Sequence, residues 1–158
     1  MLSNVDWVTP PEGVVKVNVD AHIKATGGGG LSVVIRDHAG AVLGAAVRRF
    51  EGQWGVKVAE AAAASYGVSL AYRLGFKKVV LESDAASVVN AISRSQIEAA
   101  PKFLFFENIA NNCGHFDSFN CMHVKRVGNT VAHFMARWNL LNVSEHVFLD
   151  NYPKVFIL

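Results

Sequence analysis

Three carboxylates and one histidine stand where they could do chemistry together: Asp20, Glu60, Asp84 and His133. Asp20 comes late in the alternating run "VVKVNVDAHI", Glu60 falls in the first turn of an alanine-rich helical pattern, and Asp84 closes the apolar run "FKKVVLESD". His133 follows Asn129 by four residues in "RVGNTVAHFMARW". Each has a plain structural explanation: Asp20 begins a turn, Glu60 complements a helix dipole, Asp84 caps the next helix, and His133 packs in an apolar helix. Glu60, however, is followed at helical spacing by Ala64, Gly67 and Ala71, small residues that let this helix face approach a sheet closely. That points Glu60 inward. A buried carboxylate is costly unless paired, protonated or bound to a cation, and Asp20 adds a second anion nearby. Clustered acids of this kind suit a divalent metal. Mg²⁺ takes hard oxygen ligands, and two such ions about 4 Å apart activate a water and stabilise the leaving oxygen of a phosphodiester.

Positioning these residues requires a sheet and helices in a definite order. Val15, Val17 and Val19 alternate with Lys16, Asn18 and Asp20, the period-two pattern of a strand. "ATGGGG" reads as a turn, and "LSVVIRD", "HAG" and "AVLGAAVRRF" as strand, tight turn and strand, which completes an antiparallel meander. Apolar positions from Val58 to Leu74 recur at three or four, a long helix that Gly75 ends, and "FKKVVLESD" follows as a buried strand. "AASVVNAISRS" and "PKFLFFENIANNC" read as helices, "SFNCMHVKR" as a last strand, and Asn129 to about Leu141 as a last helix capped by Asn129. The expected architecture is an α/β domain: a mixed five-stranded sheet, three antiparallel strands then two parallel additions, flanked by helices.

At 158 residues and 51% hydrophobic, the chain can bury one real core, and one domain over 1–158 is expected, its core about 7–141 and its tail 142–158 packing on the body. A net charge of +2 permits a nucleic-acid partner without demanding one. No signal-like segment and no apolar run near ~20 residues is present, so a soluble, intracellular protein is expected, nuclear or cytoplasmic and not secreted. Cys113 and Cys121 stand outside any C-x-x-C pair, which argues against a zinc knuckle or a disulfide scaffold. The sequon letters at Asn142 carry no meaning without a secretory signal.

Taken in order, "KVNVD", "GLSVVIRDHAGAVLG", "AEAAAASYGVSLAYRLGF", "VVLESD" and "HVKRVGNTVAHFMA" resemble the plant ribonuclease H-like domain. This is the type 1 ribonuclease H fold, found alone or appended to reverse transcriptases of plant retroelements. The likeness runs from about Trp7 to Trp138. It implies that Asp20, Glu60 and Asp84 are the three catalytic, metal-binding acids, with His133 at the fourth metal position, where classical enzymes have aspartate. It further implies a metal-dependent endonuclease that hydrolyses the RNA strand of an RNA/DNA hybrid to a 3'-hydroxyl and a 5'-phosphate. Two ions, Mg²⁺ or Mn²⁺, would serve it, with no small-molecule cofactor. Ala21, His22, Asn129, Lys125 and Arg126 are the expected substrate-binding positions, with Lys24 and Arg36 as further phosphate contacts.

The sequence departs from the family at three places besides His133. Ala21 stands where glycine commonly follows the first aspartate, Ala85 where serine commonly follows the second, and "KRVGN" is shorter than the bacterial loop that carries a histidine. No lysine-rich projection is evident between Ala85 and Phe103. Imidazole suits Mn²⁺ better than Mg²⁺, so stronger relative activity with Mn²⁺ is expected. The alternative is a weak or inactive module on the same fold that binds nucleic acid or a protein partner, whether alone or within a parent polyprotein.

Overall fold

The computed structural model describes residues 7–93, 102–138 and 144–149. Three strands open the chain as an antiparallel meander: β1 (Val15–Ile23), β2 (Gly29–Arg36) and β3 (Val42–Phe50). Helix α1 (Val56–Arg73) then crosses to β4 (Lys78–Ser83), which pairs parallel to β1. Helices α2 (Ala86–Ser93) and α3 (Lys102–Cys113) lead to β5 (Ser118–His123), parallel to β4. A short 3-10 turn, Arg126–Asn129, runs into α4 (Thr130–Ala136).

The sheet has six strands and not the expected five, in the order β5-β4-β1-β2-β3-β6. The sixth, β6 (Glu145–Phe148), adds antiparallel to the free edge of β3 with Arg48 opposite Glu145 and Ala45 opposite Phe148. Four residues are too few to show a period-two pattern, and what makes this segment a strand is the row of unpaired backbone groups on β3. The rest of the expected tail, and residues 1–6, lie outside the described residues.

Two layers of helix cover the sheet. Alanines carry α1 through the main core, where Ala59, Ala61, Ala62, Ala63, Ala64, Val68, Leu70 and Ala71 are all buried. A helix apolar on all sides needs cover on all sides, and α1 packs against β1 and β2 on one side and α3 on another. The small-residue stripe does what its spacing implies. A Cβ added at Gly67 would lie 2.5 Å from Val19 Cγ1 and 3.1 Å from Val17 Cγ1, so helix and sheet are as close as they can be. Gly75, at φ +84°, ends α1, and the Phe76 N–H reaches back to the Ala71 carbonyl.

On the opposite face α4 packs through Ala132 and Met135 on Val34, Ala45 and Val47. This helix is shorter than the expected span to Leu141: it stops at Ala136, after which the Arg137 and Trp138 amides bond to Phe134 and Met135 carbonyls. No helix among the described residues is long and apolar enough to cross a membrane. Cys113 and Cys121 are free, and burial pushes each thiol up to about 12, which keeps both protonated.

Candidate metal centre

Asp20 leaves β1 on the side that faces α4 and is almost wholly buried, 2% exposed. It lies three residues before the strand's end and not at it, because β1 runs on to Ile23 against β2. Glu60 sits in the second turn of α1, since the helix starts at Val56 and has no acid in its first turn. The helix dipole therefore does not explain it. Asp84 immediately follows β4, and its carboxylate does not cap α2: Ser83 Oγ accepts the Ala85 N–H at 3.1 Å, while Asp84 Oδ2 accepts from Arg126 Nε at 2.8 Å.

Carboxylate oxygens from Asp20, Glu60 and Asp84 all lie within 4.8 Å of one another. Their proximity and burial disfavour three simultaneous charges. Burial, then the Asp84 charge, raises the Asp20 carboxyl to about 6, and burial followed by Asp20 and Asp84 raises Glu60 to about 8. Glu60 Oε1 is buried without any hydrogen-bond partner. A carboxylate oxygen left in that state calls for a cation, and three hard oxygen donors fit Mg²⁺ or Mn²⁺. Among the described residues this is the cluster with metal-ligand spacing.

His133 stands at the edge of the cluster and outside its tight triad. Its Nδ1 is 3.3 Å from Asp20 Oδ2 but makes no hydrogen bond there. Burial and the charges of Arg137 and Arg126 lower its tendency to protonate, so the ring is neutral at pH 7. The cause is desolvation and two neighbouring guanidiniums, not the helix N-terminus.

Arg137 was missed in the sequence. Its Nη1 donates to the His133 carbonyl at 2.7 Å and lies 3.3 Å from Asp20 Oδ2, so it shares with Arg126 the task of offsetting the acids. The available signal was its position four residues after His133, one turn on along the same helix face.

Two cavities meet at this cluster. One, of about 590 Å³, is bordered by Glu60, Asp84, His123, Lys125 and Arg126; the other, of about 270 Å³, by Asp20, Ala21, His22, Glu60, Arg126 and Arg137. Ala21, His22, Lys125 and Arg126 are thus brought to the acids, and His123, at the end of β5, joins them. Three expected contacts are not: Lys24 lines a separate small cleft with Gly29 and Trp138, and the other two are taken up inside the fold. Asn129 is fully buried, and its amide neither caps α4 nor reaches a groove: it donates to the Val19 carbonyl at 2.9 Å and accepts from Asn18 at 3.0 Å. Arg36 is buried with its guanidinium 4.0 Å from the Trp7 ring.

A model of the family described as reverse transcriptase-like matches residues 18–139, from within β1 to just past α4. The chain belongs to the reverse transcriptase-like family. No curated protein matches the sequence of this reverse transcriptase-like chain. Its fold is similar to the N-terminal ribonuclease H domain of a Mycobacterium tuberculosis protein, with TM-score 0.70, 22% identity, and coverage of 78% of this chain and 90% of that one. Ribonuclease H1 from the halophilic archaeon Halobacterium salinarum gives TM-score 0.70 at 19% identity, over 78% and 94% of the two chains. LC11 ribonuclease H1, solved in complex with an RNA/DNA hybrid, gives 0.63 at 19% identity, over 77% and 91%. The mixed sheet with helices on both faces is the ribonuclease H fold.

Proposed function

We propose that this domain is a divalent-metal-dependent endonuclease that hydrolyses the RNA strand of an RNA/DNA hybrid. The observation that carries this reading is the triad of carboxylates within 4.8 Å, one of whose oxygens is buried and unpartnered. Support for the substrate class comes from the ribonuclease H fold and from the hybrid bound by LC11 ribonuclease H1.

Asp20, Glu60 and Asp84 would hold Mg²⁺ or Mn²⁺, one ion or two, with neutral His133 beside Asp20. When bound, the metal activates a water and stabilises the leaving oxygen of the scissile phosphodiester. The bond broken is that between phosphorus and the 3'-oxygen, so the products carry a 3'-hydroxyl and a 5'-phosphate. Arg137, which borders the smaller cavity, pairs with Asp20 and fixes its orientation. Lys57, Lys125 and Arg126 line the larger groove and attract the phosphates on either side of the cut, contacts that weaken with salt. His123 lines the same groove and is the side chain there that would move a proton at the product oxygen.

One observation favours a second reading, a catalytically weak module that binds nucleic acid or a protein. Arg126 and Arg137 already engage Asp84 and Asp20, and guanidinium is a competitor for a divalent ion. Cleavage of hybrid, double-stranded RNA and double-stranded DNA with and without Mn²⁺ separates the two, read beside calorimetric titration of Mn²⁺. The nuclease reading expects cleavage of the hybrid alone, Mn²⁺ binding, and loss of at least about a thousandfold in rate for Asp84→Asn with the fold intact. No Mn²⁺ binding at millimolar levels, or wild-type cleavage by Asp84→Asn, would overturn it.

A further inference from the structure

A third cleft, of about 500 Å³, lies along α1 and has none of the three clustered acids in its lining. Ser65, Ser69 and Arg73 reach it from one side of the helix, at successive steps of four residues, and Arg48 of β3 and Asn108 of α3 close it from either side. Its chemistry is unlike that of the metal centre. The Asn108 side-chain amide donates to both serine hydroxyls, to Ser65 Oγ at 2.5 Å and to Ser69 Oγ at 3.0 Å. Asn112 donates to Ser69 Oγ as well, at 3.2 Å, and its amide also reaches Asn108 Oδ1 at 3.4 Å, which holds the Asn108 amide toward the serines.

A hydroxyl that accepts still has one proton to donate. Among the described residues neither serine gives that proton to an acceptor, although Ser65 is 94% buried, from its 6% exposure. The asparagines have in effect converted two serines into donors facing the cleft. Around them stand the exposed guanidiniums of Arg48 and Arg73, both close enough to act on the Tyr66 phenol. The acid in the lining is Glu145, whose Oε2 accepts the Tyr66 hydroxyl at 2.7 Å. Donors and positive charge dominate, and guanidinium pairs suit phosphate in particular. At one end the wall is aromatic: Trp54 stacks on Phe50 with ring centroids 4.4 Å apart and is tilted against Phe105. A phosphate-binding floor beside a flat apolar wall, in a volume within the range of small-molecule sites, fits a nucleotide.

We propose that this cleft is a nucleotide-binding site, separate from the metal centre, that takes a phosphate through Arg48, Arg73, Ser65 and Ser69 and sets the base against the aromatic wall. The ligand is either a free mononucleotide or one unit of a single strand. It is independent of whether the acidic cluster cuts RNA.

The test is calorimetric titration of the full chain, without divalent metal, with three probes: inorganic phosphate, adenosine monophosphate and a short oligodeoxythymidylate. The mononucleotide or the oligonucleotide should bind, more tightly than phosphate. Arg73→Gln and Ser69→Ala should each weaken that binding about tenfold or more, and Lys77→Ala, exposed and outside the lining of either groove, should leave mononucleotide binding unchanged. Tighter binding of the oligonucleotide per site identifies a strand as the ligand; equal binding identifies the free nucleotide. Failure of both nucleotides to bind, affinity no better than that of phosphate, or binding indifferent to Arg73→Gln would overturn the assignment.

Discussion

The two faces of β1 are built on opposite principles although they alternate residue by residue. Val17 and Val19 lie against α1, where a glycine lets the helix backbone come down onto valine methyls. Lys16, Asn18 and Asp20 point to the other side, and the usual expectation for a polar face is water. Here all three are buried, Asn18 completely. Asn18 accepts from Trp7 Nε1 at 2.9 Å and donates to Glu82 Oε1 and Asn129 Oδ1, both at 3.0 Å, while Lys16 pairs with Glu82 at 3.1 Å. The difference teaches what each face is for. The valine face supplies stability with little specificity of angle, and the polar face uses directional bonds to hold the 3-10 turn and α4, hence Arg126, His133 and Arg137, against the strand that carries Asp20.

The comparison can be broken most directly at its polar side. Asn18→Leu leaves the Trp7 N–H, a Glu82 oxygen and the Asn129 carbonyl oxygen without their partner, and each buried orphan costs on the order of 1–3 kcal/mol. A loss of about 4 kcal/mol in chemical denaturation is expected. Loss under about 1 kcal/mol would show that the polar face is no more than tolerated. The valine side comes next. Gly67→Val drives methyls into Val17 and Val19 and should cost about 3 kcal/mol, with Val19→Ala in the same chain recovering part of it. Additive losses would mean that the close approach at Gly67 is not what limits the packing.

The asymmetry also explains how much could be read from the residues. Strand alternation in β1, the small-residue stripe on α1 and the sequence order of the elements are local patterns, and the structure bears them out. The grouping of Asp20, Glu60 and Asp84 followed from the order of those elements, which sets Asp20 late in one strand and Asp84 just after its parallel neighbour, and from which side of α1 is small. Local pattern failed wherever a partner distant in sequence decides the outcome. Asn129 has the right type and place for a helix cap, but Asn18 and Val19, more than a hundred residues earlier, claim its amide. Arg137 resembles a solvated charge after a helix until Asp20 is placed beside it. The strand at Glu145–Phe148 exists because β3 has an edge to fill.

The smallest effect is the most specific to function, because it concerns a polar group that the fold would be more stable without. Glu60 has its carboxyl raised from 4.5 to about 8, and an unfolded chain has the ordinary value. Between those two pH values the folded protein keeps a proton that the unfolded chain has released, so stability falls as pH rises through the window. Below about pH 4.5 this cost is absent; above about 8 it is complete. The raised Asp20 carboxyl acts in the same direction from 3.8 to about 6. Glu60→Gln removes the larger share, and the metal-free variant at pH 8 should be more stable than wild type by about 2 kcal/mol, with little difference at pH 4.5. Millimolar Mn²⁺ should reverse the order by raising the wild-type melting temperature and not the variant's. A Gln variant no more stable at pH 8 than wild type would mean that Glu60 is at ease in the bare fold. The strain read from its buried, unpartnered oxygen, and with it the structural reason for a cation, would then be lost.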